Sequence, residues 1–124
     1  MEKEFLWGHN KRYNDFSTYF RSKFSERVQK VSVDAGFTCP NRDGTKARGG
    51  CTYCNNKTFK PTYTNLLNSV SKQVEDGVAF FSRKYESMKF IAYFQAYSNT
   101  YKSLEELKQL YEEALQHPKI IGLV

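Results

Sequence analysis

Three cysteines, at positions 39, 51 and 54, have the type and spacing best suited to metal chemistry in this 124-residue chain. Their odd number and crowding argue against a disulfide framework and for a metal or a cluster. Cys51 and Cys54 are separated by two residues and can bind one metal centre from adjacent turns. Gly49 and Gly50 let the preceding backbone fold tightly, so that amides can point at sulfur. A structural zinc site normally closes with four ligands. An iron–sulfur cubane bound by three thiolates leaves one of its irons with an open coordination site, where a reaction can take place. The three cysteines therefore favour an iron–sulfur cluster.

The cysteine segment is also basic, within a chain of net charge +6. Between Cys39 and Lys60 five basic residues stand against Asp43 alone, a local charge of +4. Such a patch indicates an anionic partner such as a nucleic acid, or simply a solvated loop. On charge alone the solvated loop is the better interpretation. The candidate nucleic-acid contacts are Arg42, Lys46 and Arg48.

The first part of the chain predicts one helix and one strand. Asn14 or Asp15 can cap a helix that carries an aromatic stripe, for which we expect packing against the body of the fold. The stripe consists of Phe16, Tyr19, Phe20 and Phe24. A β-branched stretch from Val28 to Val33 predicts a strand that Gly36 ends. The following loop, to about Pro61, carries all three cysteines, and its length in a compact domain indicates a functional role.

The second part alternates helices and strands. Helical spacing predicts a helix over about 64–84, and Ser103 with Glu106 forms a capping box for a helix that runs to about Gln116. Apolar runs predict strands at 89–95 and 120–124. Alternating strands and helices imply a parallel sheet, whose ligands bind beyond the carboxyl ends of the strands. The cysteine loop and the segment 96–100 follow two strands at that same end.

Cellular placement can be predicted from hydropathy. No apolar run approaches the roughly 20 residues needed to span a bilayer. The N-terminus lacks the pattern of a signal peptide. We expect a cytoplasmic protein with no membrane partner.

Three segments resemble a known enzyme superfamily. Residues 34–44 (DAGFTCPNRDG), 49–56 (GGCTYCNN) and 91–101 (IAYFQAYSNTY) are similar to the radical S-adenosylmethionine superfamily. More narrowly, they resemble a bacterial subgroup related to the catalytic subunit of Elongator. The superfamily commonly has three residues between the first two cysteines, whereas this chain has eleven. The subgroup resembles this chain in having a widened gap.

The resemblance implies a fold and a domain division. The fold is α/β, the N-terminal part of a (β/α)6 partial TIM barrel. Residues 1–27 would form an extension and helix, and residues 28–124 about two and a half βα units of the core. The chain is therefore expected to be truncated.

The resemblance also implies cofactors. Cys39, Cys51 and Cys54 would hold a 4Fe-4S cluster, whose fourth iron the amino and carboxylate groups of S-adenosylmethionine chelate. Tyr53 would lie near the adenine, or else merely pack under the loop. The segment after the second predicted strand would bind the methionine amino group through Gln95, Tyr97, Ser98 and Asn99. Asn99 capping a turn is an equally good interpretation.

The implied reaction is reductive cleavage of S-adenosylmethionine to methionine and a 5′-deoxyadenosyl radical, fed by a low-potential electron donor. No side chain need act as an acid or base. Kinship to Elongator suggests tRNA as substrate, modified at a wobble uridine. Two alternatives stay open: a non-catalytic zinc module that recognises RNA, in which His9 completes the ligand set, and an inactive remnant of a radical enzyme. Oligomeric state is left undetermined.

Overall fold

A computed structural model describes residues 3–54, 61–65, 67–85, 88–95 and 97–124. The helices are α1 (Phe16–Phe24), α2 (Val70–Ser82) and α3 (Leu104–Leu115). The strands are β1 (Arg27–Asp34), β2 (Met88–Gln95) and β3 (Ile120–Leu123). The predicted alternation of strands and helices is confirmed.

The three strands form an open sheet in the order β1-β2-β3, and both pairings are parallel. Val31 lies opposite Ala92, and Asp34 opposite Gln95. The carboxyl ends of β1 and β2 are therefore level with each other. The described chain is a small α/β unit made of two βα units and a final strand. It is consistent with part of a larger parallel α/β fold.

The core lies where α2 and α3 pack on the sheet. Val31, Val33, Phe90 and Ala92 are completely buried strand residues. Tyr111 of α3 packs edge-on against Phe94 at 5.0 Å between ring centres. The end of β1 is buried on successive residues, as expected for a parallel strand covered on both faces.

Side chains cap all three helices. Asp15 accepts a hydrogen bond from the Thr18 amide at the start of α1. The capping box of Ser103 and Glu106 is complete at the start of α3. Both predicted caps are thus confirmed, and they fix where these helices begin.

The predicted start of the second helix at residue 64 is wrong. Ser69 caps α2 by accepting from the Lys72 amide, so the helix begins at Val70. Leu67, which continues the helical spacing in sequence, precedes the cap and is fully exposed. The helix cannot extend back to Leu67, although the apolar spacing continues there, because Ser69 has an extended backbone with ψ of 162°.

The predicted packing of the aromatic stripe against the body of the fold is wrong for three of its four residues, and only Phe20 is half-buried. Phe16 is 63% exposed, and Tyr19 and Phe24 are exposed as well. The rings instead pack on one another along the helix, with Phe20 at 4.3 Å from Phe16 and 5.6 Å from Phe24. Helical spacing brings the rings together without the body of the fold covering them.

Across the parts of the chain that the structure describes, no helix combines the length and apolar character needed to cross a membrane.

Candidate functional site

The three cysteines line one cleft of about 360 Å³. It lies at the carboxyl ends of β1 and β2, where the two following loops meet. Its other described lining residues are Asn41, Arg42, Gly49, Gly50, Tyr53, Tyr97 and Ser98. The sequence predicted both loops at this edge, and the structure brings them together.

The cysteine loop leaves the sheet through a turn that is held at both ends. Gly36 has a φ of 74°, and its amide donates to the carboxylate of Asp34 at 3.1 Å. Phe37 is then buried and packs edge-on against Phe94 of β2. The chain is therefore anchored two residues before Cys39.

Backbone hydrogen bonds shape the loop around the cysteines. The carbonyl of Cys39 accepts from the amides of Arg42 and Asp43, and the carbonyl of Cys51 accepts from the amide of Cys54. Gly49 and Gly50 have φ of 86° and 79°, a region that glycine enters without strain. The tight fold predicted for this glycine pair is confirmed, but the Gly50 amide donates to the Asn41 carbonyl and not to a sulfur.

None of the three cysteines forms a disulfide, and they differ in exposure. Cys39 and Cys51 are half-buried, whereas Cys54 is exposed. The Asn41 amide donates to the sulfur of Cys51 at 3.5 Å. The pKa of Tyr53 is raised, first by a hydrogen bond with Cys51 and then by its electrostatic interaction with Cys51, with smaller contributions from Cys54 and Cys39. The Tyr53 hydroxyl is therefore close enough to all three cysteines to interact with them electrostatically.

The donor set fits an iron–sulfur group in its chemistry. Three soft sulfur ligands border one cleft, and an amide donates to one of them, as neighbouring donors do at metal sites. Within the described ranges no group of three or more His, Cys, Asp or Glu side chains is arranged to hold a metal ion. Binding would therefore require the loop to draw its sulfurs together.

The segment after β2 is divided between the cleft and the core. Tyr97 and Ser98 line the cleft, and the Ser98 amide donates to the Thr38 carbonyl across the two loops. Asn99 donates to the Phe94 carbonyl, while its own carbonyl accepts from the Tyr111 hydroxyl at 2.6 Å. Asn99 lies in a separate cleft beside β3, which favours the turn-capping interpretation. Ala96 lies outside the described residues.

Gln95 and Tyr53 occupy different surroundings. Gln95 is half-buried, and its amide donates to the Tyr93 hydroxyl at 3.3 Å. Tyr53 is 88% exposed, so the alternative that it packs under the loop is wrong. Its ring stands at the mouth of the cysteine cleft, where a ligand can stack on it.

The three candidate basic residues are not equivalent. Arg42 lines the cleft, and its guanidinium lies 4.1 Å from the centre of the Tyr97 ring. Lys46 and Arg48 are exposed on the turn beyond it, where Asp43 and Arg48 form an isolated antiparallel bridge. Lys57 and Lys60 lie outside the described residues.

His9, the proposed fourth zinc ligand, lies in the N-terminal turn. Its Nδ1 accepts from the Lys11 amide, and its ring is 6.2 Å from that of Trp7. It lines another cleft with Glu4, Gly8 and Asn10.

Gln73 of α2 is a positioning residue that the sequence analysis missed. It is buried, accepts from the Asp34 amide at 2.8 Å and donates to the Asp34 carbonyl at 2.8 Å. It therefore fixes the end of β1 from which the cysteine loop departs. A glutamine one residue before Val74, on the apolar face of a predicted helix, was the available signal.

Curated proteins similar to the chain include one from each of three organisms. YtqA of Bacillus subtilis (strain 168) is 37% identical over 113 residues, covering 91% of this chain and 35% of that protein. YhcC of Escherichia coli (strain K12) is 34% identical over 113 residues, with the same coverage. MJ0486 of Methanocaldococcus jannaschii is 29% identical over 117 residues, covering 90% of this chain and 34% of that protein.

The chain thus spans about a third of the length of these curated relatives. YtqA and MJ0486 carry names that call them uncharacterized. No family model and no solved structure matches the chain.

Proposed function

We propose that the chain is part of a radical S-adenosylmethionine enzyme that binds a 4Fe-4S cluster through Cys39, Cys51 and Cys54. The observation that carries the proposal is that these three cysteines, none of them in a disulfide, border one cleft at the carboxyl ends of two parallel strands. That edge is where parallel α/β folds place their ligands. Three sulfur ligands suit a cluster that keeps one iron open to a substrate.

The chain's own residues would hold and shield the reacting groups. Cys39, Cys51 and Cys54 would supply thiolates, and the Asn41 amide would stabilise negative charge on the Cys51 sulfur. Tyr53 at the mouth would offer its ring to the adenine. When bound and reduced by an electron donor, the cluster would supply the electron for cleavage of S-adenosylmethionine to methionine and a 5′-deoxyadenosyl radical.

The proposed substrate class is tRNA. The support is the exposure of Lys46 and Arg48 on the loop that also carries the cysteines. A phosphate backbone bound there would lie beside the proposed radical. The position of His9 in the N-terminal turn gives no support to the zinc-module alternative.

Release of 5′-deoxyadenosine tests the proposed chemistry. The chain, reconstituted anaerobically with iron and sulfide, is incubated with S-adenosylmethionine and dithionite. We expect release by the parent and by Thr52→Ala, an exposed neighbour. We expect none from Cys51→Ala, with circular dichroism unchanged because Cys51 lies in a loop. Equal release by Cys51→Ala and the parent would remove the cysteines from the reaction.

A further inference from the structure

Arg42 gives the cysteine cleft its charge. Of the ten described residues that line this cleft, Arg42 is the only one with a formally charged basic or acidic side chain. None of the ion pairs found among the described residues involves Arg42. The cleft therefore presents a cation that forms no ion pair with a carboxylate among the described residues, and a ligand that fills the cleft gains by carrying an anionic group near it.

Tyr97 holds this guanidinium in place. The guanidinium carbon lies 4.1 Å from the centre of the Tyr97 ring, so the two groups make a cation–π contact. Tyr97 reaches this position with a φ of 60°, which is unusual for a residue other than glycine. Contact with the ring occupies one side of the guanidinium and leaves its N–H groups available for a planar anion.

The two loops fix this pair from both sides. The Arg42 amide donates to the Cys39 carbonyl, and the Ser98 amide donates to the Thr38 carbonyl. Thr45 and Tyr101 hydrogen-bond across the same two loops at 3.1 Å. These bonds fix the backbone of Arg42 in the turn that carries the first cysteine, and the Tyr97 ring contacts the guanidinium at the end of its exposed side chain.

We propose that Arg42 binds the carboxylate of S-adenosylmethionine, with Tyr97 as its positioning residue. The inference rests on the proposed function, since it needs that cofactor in the cysteine cleft. It separates Arg42 from Lys46 and Arg48, with which it was grouped as a nucleic-acid contact. A guanidinium matches a carboxylate through two parallel hydrogen bonds.

The test compares two ligands and two variants by equilibrium binding. The ligands are S-adenosylmethionine and its decarboxylated analogue, which lacks only the carboxylate. In the reconstituted chain, Arg42→Met should raise the Kd for S-adenosylmethionine about 10- to 100-fold. The Kd for the decarboxylated analogue should change less than about 2-fold. Arg42→Lys, which keeps the charge without the planar fork, should fall between the parent and Arg42→Met for S-adenosylmethionine. Arg21→Met, an exposed arginine on α1, is the matched control and should change neither constant.

Other results would contradict either the carboxylate assignment or the proposed function. Equal weakening of both ligands by Arg42→Met, or no change in either, overturns the carboxylate assignment. A variant that loses tRNA binding but keeps its affinity for S-adenosylmethionine makes Arg42 a phosphate contact and overturns it too. A parent chain with full iron content that binds neither ligand contradicts the proposed function itself. Iron content and circular dichroism are measured on every variant, and Arg42→Lys decides the matter if Arg42→Met does not fold.

Discussion

Gln73 stabilises the end of β1 with a single side chain. Its amide group satisfies both backbone polar groups of Asp34 and also donates to the Asn68 carbonyl at 3.1 Å. Because Gln73 is only 1% exposed, water cannot replace these bonds when the side chain is changed. The same residue joins β1 to the turn before α2, and so it sets the origin of the cysteine loop.

Gln73→Leu should lower the free energy of unfolding by roughly 2 kcal/mol or more. The buried amide and carbonyl of Asp34 lose their partners, at about 1–3 kcal/mol each. Gln109→Leu, on the exposed side of α3, is the control and should change stability by less than about 0.5 kcal/mol. Urea unfolding measures both. Equal stability of the two variants would show that the Gln73 bonds do not hold β1.

Asp15 is the residue for which the structure predicts a pH effect. Its pKa is lowered to about 2, chiefly by the hydrogen bond from Lys11 and then by that from Thr18. Since the folded pKa lies below the unfolded value of 3.8, its stabilisation is present above that value. It is lost as the pH falls from about 4 towards 2.

An NMR titration of the Asp15 carboxyl measures this directly. The midpoint should lie near pH 2 in the parent, matching the lowered pKa of about 2, and should rise in Lys11→Met, which removes the 2.7 Å contact. A midpoint near 3.8 in the parent would contradict the cap and ion pair as described.

At the scale of elements, α2 approaches β1 closely at Gly77. A Cβ atom at this position would lie 2.4 Å from Val31 Cγ1 and 3.1 Å from the Tyr63 ring. Tyr63 in turn accepts a hydrogen bond from the Ser32 amide, so Tyr63 and Gln73 both occupy the outer edge of β1. The helix, its preceding turn and the strand are therefore fitted as one unit.

Gly77→Ala should destabilise the chain by about 1–3 kcal/mol, because the added methyl group overlaps a completely buried valine. Alanine is otherwise the better helix former by about 1 kcal/mol, so a gain would be expected if space were available. Gly122→Ala is the matched control, since its Cβ would meet Ile91 only at 3.7 Å. Thermal unfolding compares them. A stabilised Gly77→Ala variant would show that α2 can move away from β1.

The elements were predictable where local chemistry and tertiary packing agree. The capping box at Ser103 and the apolar run before Gln95 each determine one structure, and both predictions hold. The start of α2 was not predictable from period alone, because Leu67 fits the helical spacing but precedes the cap. The exposure of Phe16 depends on what covers α1, which no local pattern encodes.

The site was predictable in part for the same reason. Parallel strands bring their carboxyl ends to one edge, so the meeting of the cysteine loop with Tyr97 and Ser98 followed from topology. The sequence did not predict that Asn99 would bond to Phe94 and Tyr111 instead of lining the cysteine cleft. Short polar side chains bind ligands and stabilise turns equally well, so their type does not distinguish the two roles. The stacking of Arg42 on Tyr97 depends on side-chain geometry that spacing does not contain.

At the scale of the whole molecule, the net charge of +6 should act through particular residues. Neutralising Lys46 and Arg48 together should weaken tRNA binding and reduce the log–log salt slope by about 0.7–0.9 for each lost phosphate contact. Neutralising Arg21 and Lys23 on α1 is the control, since it removes the same charge from another surface. Titration of labelled tRNA at several salt concentrations measures the slopes. Equal slopes in both double variants would show that tRNA binding depends on the net charge alone and not on Lys46 and Arg48 as specific phosphate contacts.

The account depends most on the identity of the metal group held by Cys39, Cys51 and Cys54. Anaerobic purification followed by an absorption spectrum and iron analysis tests this most directly. The account predicts a brown protein with a broad band near ~400 nm, bleached by dithionite and absent from Cys51→Ala. A colourless protein that binds zinc through the same cysteines, or one whose iron and spectrum are unchanged in Cys51→Ala, would contradict it.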